Sequence, residues 1–256
     1  MATLGEQSVG SIVKLNVSGT ATEFIVVHQG NPYEGIYDSS CDGTWLLIRN
    51  LYTSMQFGSD NNYKNNLHAY LNSTIYDMFD ADVKTVLKNV KIPYTNDAGS
   101  VVTGADGLSA YIFALSAVET FSKSTAITQS DGYVLDYFRT NDRIAELDGE
   151  TTGWWLRTPH KSNSTYMGYV TAAGDISTGW VFSKYGIRFA IILPQNLSVN
   201  TDGLVIVQSK AITGTVPIDG VQRELTGKGY INIGGVLRDL SDSQVNIDNV
   251  LKSLKG

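Results

Sequence analysis

The chain has 256 residues, 42% of them hydrophobic, enough to bury a sizeable core in one large domain plus a small module. Its formal net charge of −6, with no Lys/Arg cluster, argues against a nucleic-acid partner, because that binding rests largely on phosphate neutralisation. No apolar run reaches the ~20 residues of a membrane-crossing helix, so no membrane insertion is expected, and residues 1–6 lack the basic start and apolar stretch of a signal peptide.

In chain order, the first segment reads as β. Residues 11–15 and 23–28 flank Val17-Ser18-Gly19-Thr20, a hairpin pattern. Asp42-Gly43 supplies a turn before the apolar run Thr44-Trp45-Leu46-Leu47-Ile48. Two helices follow. Leu67, Tyr70 and Leu71 share one face at i, i+3, i+4; Val83, Val86 and Leu87 repeat that spacing behind Asp80, an N-cap candidate. Pro93 ends the pattern, residues 96–107 read as a loop, and residues 110–121 fit helix or strand equally. From Trp154 the reading returns to β, over residues 154–157, 166–171 and 186–193, with Gly174-Asp175 and Thr178-Gly179 as turns between them. Strands at both ends with helices between predict an α+β fold.

The tail is repetitive. Residues 216–225, 231–240 and 245–254 each alternate apolar and polar side chains on both sides of a two-residue turn. The turn pairs are Asp219-Gly220, Gly234-Gly235 and Asp248-Asn249, suited to the positive φ angles of a type I′ turn. An isolated hairpin is marginal in water, so the copies should stack on one another, on the main domain or on other subunits. A small filler module and an oligomerisation or attachment device both fit.

Catalytic signatures are missing. His28, His68 and His160 are scattered, and no nucleophile elbow, Walker loop or dinucleotide fingerprint occurs. Cys41 is the only cysteine, which rules out an intrachain disulfide and a Cys-based zinc site; with nothing local to activate it, it reads as a buried, inert thiol. The pairs Asp80/Asp82 and Asp142/Glu146 read as helix caps and faces. No catalytic residue, metal or cofactor is expected, and the chain does not read as an enzyme.

Residues 154–188 differ. Trp154 and Trp155 are adjacent on a strand, so their side chains point to opposite faces; one should enter the core and the other lie near the opposite surface. Beyond them lies a stretch rich in Ser, Thr, Asn, Tyr and Gly, mixing rigid aromatic anchors with adaptable polar groups as antibody paratopes and sugar-binding surfaces do. A polar, aromatic-dotted hairpin with no ligand fits the residues equally well.

Trp154-Trp155-Leu156-Arg157-Thr158-Pro159, followed by Tyr185-Gly186-Ile187-Arg188-Phe189-Ala190, resembles a domain family common in gut Firmicutes and their phages and prophages. Val26-Val27-His28-Gln29-Gly30, Tyr37-Asp38-Ser39-Ser40-Cys41-Asp42-Gly43 and Val90-Lys91-Ile92-Pro93-Tyr94 match it too, so the likeness spans residues 1–204. Members usually read Arg-Pro-Ala where this chain has Arg188-Phe189-Ala190; losing that proline frees φ at one position without altering the fold.

The resemblance implies a C-type-lectin-like domain over residues 1–207, followed by the hairpin module at 212–256. Some relatives resemble targets of diversity-generating retroelements. By that likeness the variable positions are Tyr166, Met167, Tyr169, Thr171, Ser177, Trp180, Phe182, Ser183 and Lys184. Ligand contacts are expected from Tyr166, Tyr169, Ser177, Trp180, Phe182, Lys184 and Tyr185, on a scaffold of Gly153, Trp154, Trp155, Arg157, Gly174, Gly186 and Arg188. The calcium-binding sugar triplets of lectins are absent, as is the cysteine pair of formylglycine-generating enzymes. The implied role is a virion protein of a tail, baseplate or surface appendage, extracellular after host lysis. Its expected partners are a host-surface carbohydrate or protein, other virion subunits, and further copies of itself in a homo-oligomer, a trimer first. A purely architectural capsid decoration or tail collar is the alternative, and a surface-glycan hydrolase a third.

Overall fold

The computed structural model describes residues 1–121, 126–127 and 131–207, together with the backbone of six strands between residues 214 and 253. Strands make up 38% of the chain and helices 14%, so the fold is mainly β and the α+β expectation is corrected. The two expected helices exist, but the loop and ambiguous segments that follow them contribute short strands instead of more helix.

The first of two five-stranded sheets uses β1 (Ile12–Val17), β2 (Thr20–Gln29), β3 (Thr44–Ile48), β5 (Ile112–Ala114) and β10 (Phe189–Leu193), in the order β5-β10-β3-β2-β1. β1 and β2 pair antiparallel from Ile12↔Ile25 to Val17↔Thr20, across Ser18 and Gly19 at φ 50° and 72°. Positive φ at both turn positions matches the twist of the flanking strands. Val13, Leu15, Phe24, Val26, Trp45, Leu47 and Phe189 fill the interior, and Trp45 meets Phe113 edge-on at 5.3 Å. The Trp45 indole N–H is satisfied by the carbonyls of Gly30 and Cys41 at 3.1 and 3.0 Å. Fully burying each aliphatic or Phe side chain contributes about 1.5–3 kcal/mol.

The second sheet contains β4 (Ser54–Gln56), β6 (Trp154–Pro159), β7 (Tyr166–Val170), β8 (Ile176–Trp180) and β9 (Lys184–Gly186), in the order β8-β7-β6-β9-β4. Two expectations fail here. Thr178-Gly179 is no turn but lies inside β8, and residues 186–193 do not form one strand. The chain leaves the second sheet at Gly186, bends through Ile187 and Arg188, and enters the first sheet at Phe189. Alternation alone cannot show where the chain changes sheets, because Ile187, Phe189, Ile191 and Leu193 keep one face apolar straight through the bend.

A helical stretch runs from Leu67–Tyr70 through a π turn, Leu71–Ile75, to Tyr76–Met78. Leu67, Leu71 and Ile75 form its buried stripe. Within the wide turn, Asn72 bridges helix to sheet: its amide donates to the Ile112 carbonyl at 2.8 Å and its oxygen accepts from Tyr111 and Ile112 N–H. Ala81–Val86 forms a second, short helix. Asp80 precedes it but makes no cap bond; its carboxylate accepts from the Gly19 N–H at 3.0 Å and ties the helix to the first hairpin.

Residues 207–256 form a separate compact unit. Its strands pair as three antiparallel hairpins, Gly214–Ile218 with Val221–Leu225, Tyr230–Ile233 with Val236–Asp239, and Gln244–Ile247 with Val250–Ser253. The turn pairs between them lie outside the described residues.

Candidate functional site

β6 sends side chains to both faces of its sheet, and both tryptophans are fully buried, which corrects the expectation that one lies near the surface. Trp154 donates its indole N–H to the Arg143 carbonyl at 2.9 Å, and the Arg188 guanidinium sits 5.2 Å above its ring. Trp155 donates to the Met55 carbonyl at 2.9 Å, and Phe57, Tyr169 and Tyr185 pack edge-on around it. Tyr169 and Tyr185 stack with ring centres 4.0 Å apart. Gly179 makes room for that stack, because a Cβ there would lie 2.6 Å from the Tyr185 ring and 3.2 Å from that of Tyr169.

Cross-strand register then divides the expected ligand contacts. Tyr166 is opposite Trp180, while Tyr169 is opposite Ser177. Successive strand residues face opposite ways, so Tyr166 and Trp180 occupy one face, and Tyr169, Ser177 and Tyr185 the other. The latter face is a half-buried aromatic cover over Trp155. On the former, Tyr166 is 36% exposed and Trp180 51%, and Phe182, in the turn after β8, is 40% exposed with its ring 5.0 Å from that of Trp180. Lys184 is exposed as well; Met167, expected among the variable positions, is fully buried and cannot touch a ligand.

Arg157 and Arg188 are both buried, by different means. Arg157 makes a two-pronged pair with Glu119, Nη1 to Oε2 at 2.6 Å and Nη2 to Oε1 at 2.5 Å, and donates to the carbonyls of Pro93, Ala114 and Asp131. Burial alone would lower its pKa, but the Glu119 charge and hydrogen bonds outweigh that and raise it. Tyr37 donates to Glu119 at 2.7 Å, and Thr158 donates to Asp131 at 2.7 Å. Asp131 is wholly buried, its Oδ1 without a partner among the described residues, and burial, opposed by Arg157 and Thr158, pushes its pKa up to about 6. Among the described residues no carboxylate bonds Arg188; it donates to the carbonyls of Ile48, Arg49 and Arg143, and burial lowers its pKa to about 10. It clamps the end of β3 at the corner where the chain changes sheets. Gly186 belongs to the same corner, since a Cβ there would lie 2.3 Å from Leu51.

Beside Tyr166 opens a polar cleft of about 750 Å³, walled by residues 60–62, 65, 95–99 and 159–164. Sequence reasoning missed it, and it missed Glu119, Tyr37 and Asp131 as partners of Arg157 and Thr158. The cleft brings together three loops remote in sequence, and no local periodicity marks such a meeting. Tyr37 was visible only as part of a family motif.

The Cys41 thiol donates to the Lys91 carbonyl at 3.3 Å, and burial pushes its pKa up to about 12, which leaves little thiolate at neutral pH. Among the described residues no group of three or more His, Cys, Asp or Glu comes together to hold a metal ion, and no helix is long and apolar enough to cross a membrane.

Fold and site together define a mainly-β protein with an exposed aromatic rim beside a polar cleft. Residues 42–195, more than half of the chain, match the family described as a domain of unknown function, DUF6273, and the chain belongs to that family. Comparison with curated proteins and with solved structures gives no significant match.

Proposed function

We propose that the chain is a ligand-display protein of a phage or prophage virion, placed in a tail, baseplate or surface appendage, and binds a host-surface carbohydrate or protein. The observation that carries this reading is a set of three solvent-exposed rings: Tyr166 and Trp180, opposite each other on β7 and β8, and Phe182 in the turn after β8, in ring contact with Trp180. Exposed aromatic rings in contact are the usual anchors of recognition surfaces, where they fill pockets or stack on sugar faces. The family motifs that bracket this segment, and their likeness to diversified virion proteins, supply the setting. Copies joined through the C-terminal hairpins would raise the avidity of individually weak contacts.

The test is binding of fluorescently labelled protein to a panel of gut Firmicutes, with Tyr166→Ala and Trp180→Ala beside wild type. Loss of cell binding with an unchanged melting curve supports the reading. Unchanged cell binding sinks it, and if the same variants fail to incorporate into particles, the architectural role takes its place.

A further inference from the structure

The segment of residues 160–166 has two sides. On one, Tyr166 joins the aromatic rim. On the other, residues 160–164 wall the polar cleft, and the His160 and Tyr166 rings lie 6.3 Å apart where the two zones meet. The wall is held in place before any ligand arrives: the Asn61 amide donates to the carbonyls of His160, Asn163 and Tyr166 at 3.4, 3.1 and 3.3 Å, and the Asn61 N–H donates to Ser164 at 2.8 Å. Such preorganisation lowers the entropy lost on binding.

The chemistry of the cleft is that of amides and hydroxyls. Asn65, Ser162 and Ser164 line it with side chains that make no hydrogen bond to other described residues. Thr95, 6% exposed, lines it too, and its buried hydroxyl has no hydrogen-bond partner among the described residues. An apolar ligand would leave all these groups unmet. Formal charge on the walls comes from Asp60, Asp97 and Lys161, one negative in net, which disfavours an anionic ligand.

We infer that the cleft is a second contact zone for a neutral oligosaccharide, one sugar lying on Tyr166 and Trp180 and the next placing its hydroxyls among Asn65, Ser162 and Ser164. The inference rests on the reading that the aromatic rim binds a host ligand, and it assigns that ligand's chemical class. Sugar hydroxyls both donate and accept, as amide and hydroxyl walls require, while the apolar face of a pyranose suits an aromatic ring.

The experiment applies the full chain to a printed array of neutral oligosaccharides ending in glucose, galactose, mannose or N-acetylglucosamine, with heparin as the anionic comparison. Wild type, the double variant Asn65→Ala/Ser164→Ala and Trp180→Ala are run side by side. The expected result is binding to neutral glycans and not to heparin, weakened about fivefold or more in the double variant, as loss of one or two hydrogen bonds predicts. Trp180→Ala should weaken it as well. Glycan binding that Trp180→Ala abolishes and the double variant leaves intact overturns the cleft assignment but keeps the rim. Cell binding that needs Trp180 without any neutral glycan bound on the array overturns the saccharide class and points to a protein receptor. Heparin bound in preference to neutral glycans overturns it too. Absence of both cell and glycan binding removes the cleft and the rim together.

Discussion

Arg157 and Trp180 stand on strands of the same sheet, yet their surroundings have nothing in common. Around Arg157 every guanidinium nitrogen has an oxygen, and the nearby Trp155 is closed in by Phe57, Tyr169 and Tyr185. Trp180 is half open to solvent, and its one close ring neighbour among the described residues, Phe182, is exposed itself. A buried charge or aromatic ring contributes to stability only when its surroundings complete it. A solvent-exposed ring leaves apolar area uncovered and contributes little, and that uncovered area remains free for a partner. Interior and rim should therefore respond to mutation in opposite ways, and four changes break or sharpen the contrast.

Glu119→Ala should do the most damage. It strands the Arg157 charge in the interior, and removing one partner of a buried pair costs about 3–5 kcal/mol, to be read from urea unfolding. A loss below 1 kcal/mol would mean that the three carbonyls suffice for Arg157. Gly179→Val comes next, because its Cβ would press on the Tyr185 ring. Overpacking of this kind costs roughly 1–3 kcal/mol, and near-ultraviolet circular dichroism should report the displaced tyrosine stack.

Asp131 gives a smaller effect with a pH signature. Its folded pKa of about 6 lies above the 3.8 of an ordinary aspartate, so between those values the folded state holds a proton that the unfolded chain has released. Stability from this group is therefore greatest below about pH 4 and falls as pH rises through about 6. The local charge count agrees, with one guanidinium set against two carboxylates, Glu119 and Asp131. Asp131→Asn should remove this slope, so its melting temperature relative to wild type rises from pH 4 to pH 7.5. A pH-independent difference would refute the assignment. Trp180→Ala, at the other extreme, should change unfolding free energy by no more than about 0.5 kcal/mol while abolishing cell binding.

Parts of this contrast were readable from residues. The first hairpin follows from Ser18-Gly19 between two alternating runs, and the two helices follow from Leu67/Leu71 and Val83/Leu87 spacing. The division of the ligand contacts was not readable. Tyr166 and Tyr169 look alike in a polar, aromatic stretch, and only the pairings Tyr166↔Trp180 and Tyr169↔Ser177, with the Tyr185 stack beside them, make one ring a surface and the other a cover. Gly179 misled for a related reason. A glycine next to threonine reads as turn chemistry, but here it is a strand residue kept small by the rings packed on it.

The sequence by itself determined local matters: which runs alternate, where the first hairpin turns at Ser18-Gly19, and that one cysteine precludes an intrachain disulfide. Tertiary structure alone decided the fold class, the corner at Gly186 to Arg188, the pairing of Arg157 with Glu119 across 38 residues, and the cleft of Asn61, Thr95 and Ser164. The physical reason is range. Periodicity and turn preference act between residues a few positions apart, whereas burial, charge pairing and cavities depend on which distant segments meet, and hydrophobic burial, which drives that meeting, has no direction that a short stretch of chain could record.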